Sequence, residues 1–157
     1  MNPKIIVDAD ACPVKAEIVQ AAAMFHVRVM MVASFDHRLT VPEEVEVVQV
    51  DRSDQAVDLY ISNRIAAGDI LVTQDFGLAA IGLGKKATVL SPRGQIFSDR
   101  TIDFLLDRRH EQAKRRRAGK HSKGPKPFTS EDRERFLQSL TKVLSDLQEN
   151  VGLKANM

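Results

Sequence analysis

The sequence predicts an α/β protein: a three-layer α/β/α sandwich around a mainly parallel sheet of about five strands, with a C-terminal helical extension. Three observations lead there. Short apolar runs rich in β-branched residues alternate with segments of helical period up to residue 90. The strand-like runs are apolar at consecutive positions, as strands covered on both faces must be. The stretches between them have room for the crossover helices that parallel neighbours require.

Residues 4–7, KIIV, form the first strand. Pro13 suits the first turn of a helix, where its missing N–H costs nothing, and residues 13–25 carry Val14, Ile18, Ala21, Ala22 and Phe25 at helical spacing. VRVMMVAS (27–34) is a second strand and VEVVQV (45–50) a third. A helix follows from about Asp54 to Ala67, with the stripe Val57, Tyr60, Ile61, Ile65 and a stop at Gly68. ILVTQ (70–74) is a fourth strand, FGLAAIGLG (76–84) a short helix and KATVL (86–90) a fifth strand. SPRG (91–94) has the proline and glycine positions of a type I turn. A helix beginning near Thr101, with Ile102, Leu105 and Leu106, closes the body.

Residues 1–107 thus form the α/β domain, 108–128 a basic linker, and 129–157 an amphipathic helix and tail. Thr129 and Asp132 have the spacing of a capping box. Phe136, Leu137, Leu140, Val143, Leu144 and Leu147 form one helical stripe. It must bury itself on the body or on a second subunit, so a homodimer through this helix is one expectation.

No run approaches the roughly 18 apolar residues of a membrane span. The N-terminus reaches charged residues at once, unlike a secretory signal. Cys12 is the one cysteine and the four histidines lack zinc spacing, which excludes a disulfide scaffold and a thiolate metal site. A soluble, cytoplasmic protein is expected. The net charge of +2 conceals an asymmetry: residues 108–127 hold nine Lys/Arg and one acid, the remainder fourteen bases and twenty acids. A basic segment on an acidic body suits an anionic partner, and Arg115, Arg116, Arg117, Lys120, Lys123 and Lys126 are the candidate phosphate contacts. A solvated linker is the alternative. Only Phe128 lies nearby, which favours backbone contact over base stacking.

The chemistry rests on acids. Ligands of an open parallel sheet bind beyond the carboxyl ends of the strands, where strand order reverses. Asp8 and Asp10 follow strand one, Asp75 follows strand four and Asp51 ends strand three. At about 100° per residue, Asp54 and Asp58 lie one turn apart beside the apolar stripe of their helix. These carboxylates should gather at one end of the sheet. Crowded like charges cannot all stay ionised unless a cation binds, and an all-oxygen set suits Mg²⁺ or Mn²⁺. Each acid also has a structural alternative: Asp10 as a helix cap, Asp54 as a partner of the helix dipole. Asp69 precedes strand four and belongs to a turn at the opposite end. Cys12 reads as a small, partly buried residue. Lys15 either reaches towards the acids or a phosphate, or faces solvent.

DADACPVKAEI, VDRSDQAVDLYI, GDILVTQDFGLAAIGLGKKATVLSPRG and GKHSKGPKPFTSEDRERF together resemble the YaiI/YqxD family of bacterial proteins, in the family's order and over nearly the whole chain. That family is grouped with PIN-like domains, many of which are Mg²⁺- or Mn²⁺-dependent ribonucleases. The resemblance implies one acid ending the first strand, one on a middle helix and one after the fourth strand in a T-x-D setting. Asp8, Asp54 or Asp58, and Asp75 stand at those places.

The leading expectation is a metal-dependent nuclease acting on RNA. Asp8, Asp54 and Asp75 would be catalytic, with Asp10, Asp51 and Asp58 as further ligands. Lys15 and the basic segment would hold the strand. A haloacid-dehalogenase-like phosphatase with Asp8 as nucleophile is a second expectation, since DAD after strand one resembles that pair. A non-catalytic RNA- or protein-binding module is a third.

Overall fold

The computed structural model describes residues 2–34, 40–51, 53, 55–119 and 126–155. Five strands form one sheet: β1 (Lys4–Asp8), β2 (Arg28–Ser34), β3 (Glu46–Val50), β4 (Ile70–Val72) and β5 (Thr88–Leu90). Every pairing between these strands is parallel, and the order is β3-β2-β1-β4-β5. Strand order therefore reverses between β1 and β4, the place where such sheets open a crevice. Among the described residues five α-helices accompany the sheet: α1 (Lys15–Phe25), α2 (Ala56–Arg64), α3 (Phe76–Gly84), α4 (Asp99–Arg117) and α5 (Ser130–Ala155).

Side-chain alternation along the strands assigns the layers. Ile5 and Val7 of β1 share one core cluster with Ile18 and Ala21 of α1 and Phe136, Leu140 and Leu144 of α5. Ile6, between them in sequence, points the other way, into a cluster with Val57 and Ile61 of α2, Leu78 and Ala79 of α3 and Ile102 of α4. All three residues of Ile5-Ile6-Val7 are fully buried, so the consecutive apolar run reflects cover on both faces. Gly82 lets α3 lie close on the sheet: a Cβ there would sit 3.0 Å from side-chain atoms of Leu71 and Val89.

The helix ends follow local chemistry. Helix α4 starts at the Ser98 cap, whose hydroxyl accepts from the Thr101 N–H, slightly before the start read from the sequence. It runs on through Arg117, so the expected boundary at residue 108 falls inside a helix. The capping box of α5 forms: Thr129 N–H donates to Asp132 Oδ2 at 3.0 Å, and Asp132 N–H to Thr129 Oγ1 at 3.1 Å.

The apolar stripe of α5 packs on the body, with Phe136, Leu140, Val143 and Leu144 buried and Leu137 and Leu147 partly buried. The helix lies parallel beside α1. Near the start, Arg133 donates to the Pro13 carbonyl at 2.6 Å and pairs with Glu17; near the end, Gln148 donates to the Phe25 carbonyl at 2.8 Å. The SPRG turn docks the same helix. Gly94 N–H closes the turn on the Ser91 carbonyl, and Ser139 Oγ donates to the Gly94 carbonyl at 2.7 Å. Gly94 has φ +88, and a Cβ there would lie 2.8 Å from the Arg135 carbonyl oxygen. Arg93 bonds Asp132 at 2.8 Å and the Lys126 carbonyl, and Arg93 and Arg133 both approach the ring of Phe128.

Candidate active site

Parallel register carries the site. Val7 pairs with Val72, so Asp8 and Thr73, the next residue on each strand, emerge side by side. The Thr73 hydroxyl donates to Asp8 Oδ2 at 2.9 Å and accepts from the Asp75 N–H at 3.0 Å. Asp75 then caps α3, accepting from the Leu78 N–H at 3.1 Å. A buried threonine thus spaces two carboxylates across the reversal point.

Asp58 joins them from the first turn of α2, partly buried as its place beside the apolar stripe predicts. Burial, followed by repulsion from Asp75 and Asp8 and a hydrogen bond to Asp75, pushes its carboxyl up to about 6. Burial likewise raises Asp8; the Thr73 hydrogen bond opposes it, and Asp75 and Asp10 add to it. Both acids are held where ionisation is disfavoured.

The remaining predicted residues divide. Asp10 lies in a single 3-10 turn after β1, near enough to repel Asp8, and its Oδ1 accepts from the Ser34 N–H at 2.9 Å, at the end of β2. It therefore helps to close the β1–β2 end instead of capping α1, which has no side-chain cap. Asp51 is exposed beyond the edge strand β3, two strands from β1. Lys15 donates to the Cys12 carbonyl at 2.7 Å, and Cys12 is a buried core residue whose thiol burial pushes up. Asp69 is buried at the opposite end, receiving Lys4 N–H, Lys4 Nζ and Ala66 N–H. Arg115, Arg116, Arg117 and Lys126 are exposed. Asp54, Lys120 and Lys123 lie outside the described residues.

Arg109 is an addition to the expected residues. It lines a cavity of about 360 Å³ with Asp8, Ala11, Gln74, Asp75 and Phe76. It is exposed, and among the described residues it has no ion-pair partner, so it faces the acids across the cavity without neutralising them. The sequence holds a signal for it: Ile102, Leu105 and Arg109 recur at i, i+3 and i+7, which turns Arg109 towards the body. Gln74 contributes by tying the β4 loop to the β1 loop, donating to the Ala11 carbonyl at 2.7 Å.

Among the described residues, the donors around Asp8, Asp58 and Asp75 are carboxylate oxygens and the Thr73 hydroxyl, a set that suits a hard divalent cation. Among the described residues no three His, Cys, Asp or Glu side chains form a ready-made metal cage. Asp8, Asp58 and Asp75 neighbour one another electrostatically, with Asp58 hydrogen-bonded to Asp75, but stop short of such a cage.

Fold and site together define a parallel α/β protein with an acidic crevice at its strand-order reversal, faced by a cationic helix. Comparison with known proteins narrows this. A family profile described as "Uncharacterized BCR, YaiI/YqxD family" matches residues 6–146, and the chain belongs to that family. A UPF0178 protein of Halalkalibacterium halodurans is 50% identical over 143 residues, covering 91% of this chain and 91% of its own. One of Bacillus velezensis is 50% identical over 143 residues, covering 90% and 85%, and one of Listeria welshimeri 44% identical over 144 residues, covering 92% and 97%. No solved structure matches. Among the described residues no helix is long and apolar enough to cross a membrane.

Proposed function

We propose that this protein is a metal-dependent nuclease of PIN-like kind that hydrolyses RNA phosphodiesters. The observation that carries the proposal is the meeting of Asp8 and Asp75 in one crevice at the β1/β4 reversal, which Arg109 also lines, with Asp58 hydrogen-bonded to Asp75 beside them.

Asp8, Asp58 and Asp75 would hold Mg²⁺ or Mn²⁺, with Asp54, four residues before Asp58 in the sequence, as a further candidate ligand. When bound, such an ion supplies a water of lowered pKa and counter-charge for the phosphate. Thr73 fixes the rotamer of Asp8 and the backbone of Asp75 through one hydroxyl. Arg109 binds a non-bridging phosphate oxygen from the far wall, and Arg115, Arg116 and Arg117 extend the cationic track along α4. The phosphatase alternative is less well supported, because Asp69, the acid that would have to complete it, is committed to the other end of the sheet.

The test pairs thermal unfolding in Mn²⁺ with cleavage of a labelled RNA. A specific ion at a hundred times its Kd adds about 2.7 kcal/mol. Wild type should show that shift and cut internally, and Asp8→Asn and Asp75→Asn should lose both. RNA binding with no Mn²⁺ shift and no cleavage would instead identify a binding module; a phosphate analogue trapped on Asp8 would identify the phosphatase.

A further inference from the structure

A second cavity, of about 220 Å³, adjoins the acid crevice and shares two of its walls, Phe76 and Arg109; Leu105, Arg108 and Gln112 complete it. We propose that this cavity is a nucleobase subsite: it takes one unstacked base of a single-stranded nucleic acid against the ring of Phe76 while Arg109 holds the adjoining phosphate over the acids. The inference rests on the nuclease proposal for the identity of the crevice, and it adds the form of the substrate.

Four observations carry it. Phe76 is only partly buried, and its ring is fixed edge-on by Phe97, with centroids 5.9 Å apart and planes at 74°. An aromatic ring held in place and lining a cavity can serve as a stacking platform. Leu105 supplies the apolar floor. Arg108, Arg109 and Gln112 supply donors suited to a base edge or a phosphate. Finally, Arg108, Gln112 and Arg115 recur at i, i+4 and i+7, so the face that rims the cavity continues into the basic end of α4.

The charge pattern selects the occupant. Among the described residues neither Arg108 nor Arg109 has a carboxylate partner, although the acid crevice lies next door. A ligand that is anionic at one point and planar and apolar at the next satisfies both the guanidiniums and the Phe76–Leu105 wall. A nucleotide has that alternation. A base can enter only when it is neither stacked nor paired, so duplexes are disfavoured. The aromatic absent from the basic segment in sequence is thus supplied from α3.

The experiment measures binding in EDTA, with no metal and no turnover, by fluorescence anisotropy of a short labelled RNA. Three probes are compared: the single strand, the same strand annealed to its complement, and a strand of equal length with abasic residues. Wild type should bind the first about tenfold more tightly than the abasic strand, and more tightly than the duplex. Phe76→Leu, which keeps apolar volume without a ring, should erase the preference over the abasic strand and leave abasic binding unchanged; Phe76→Tyr should retain it. Equal affinity of wild type for natural and abasic strands, or for single strand and duplex, would overturn the subsite. Because the readout is metal-free, failure of the nuclease proposal would leave this pattern intact. Cleavage with no base preference would remove the subsite alone.

Discussion

Thr73 and Asp8 sit side by side at the ends of two adjacent parallel strands, and one hydrogen bond of 2.9 Å from hydroxyl to carboxylate joins them. The same oxygen receives the Asp75 N–H, so a single buried atom sets the spacing of two acids. Thr73→Val keeps the shape and removes both bonds. The expected cost is about 1–3 kcal/mol, since the Asp75 N–H and the Asp8 carboxylate are each deprived of a partner. Asp8 should also titrate at higher pH, because the bond removed is the one that favours its ionised form. Urea unfolding and carboxyl-carbon NMR titration check the two halves.

Asp58 ties stability to pH. Its carboxyl is raised from 3.8 to about 6 in the folded protein, so between those values the native state binds more protons than the unfolded chain. Its contribution is fully present below about pH 3.8 and is lost as pH rises through about 6. Asp58→Asn removes that dependence. The variant should therefore gain on the wild type as pH rises across this window and be the more stable of the two at neutral pH. Melting temperatures of both proteins across that range, without divalent ions, are the measurement; a constant difference would be the contrary result.

Gly94 fixes how the SPRG turn meets α5. At φ +88 a side chain is strained, at about 1–3 kcal/mol, and a Cβ would collide with the Arg135 carbonyl as well. Gly94→Ala should be destabilised by at least that strain. Faster amide exchange should concentrate in the first turns of α5, where Arg93 and the Thr129–Asp132 box converge.

Replacing Arg115, Arg116 and Arg117 together by Gln tests the cationic track. These side chains are exposed, so folding should be unaffected. RNA affinity should fall. The slope of log K against log salt should flatten by about 0.7 for each single-strand phosphate that the variant no longer neutralises.

The sheet is largely legible in the sequence because its strands are short, apolar at successive positions and separated by helical periods. Ile5, Ile6 and Val7 are the clearest case, each buried and successive side chains facing opposite layers. Asp8, Asp58 and Asp75 can be placed because each follows directly from a strand end or a helix stripe. Asp10 cannot: its direction depends on the Ser34 N–H, which reaches it only through the pairing of β1 with β2. Asp51 departs from expectation for a related reason, since β3 proves to be the edge strand and its end is remote from β4. Arg109 is obscured by its surroundings. It sits in a run of basic residues, and only its phase relative to Ile102 marks it as reaching the acid crevice.

The pairing of α5 with α1 has a consequence for how the chain is made. Phe136 and Leu140 complete the same apolar interior as Ile5 and Val7, which leave the ribosome long before them. During synthesis that side of the nascent sheet must wait with only α1 to cover it, or be shielded by a chaperone, until the late helix arrives.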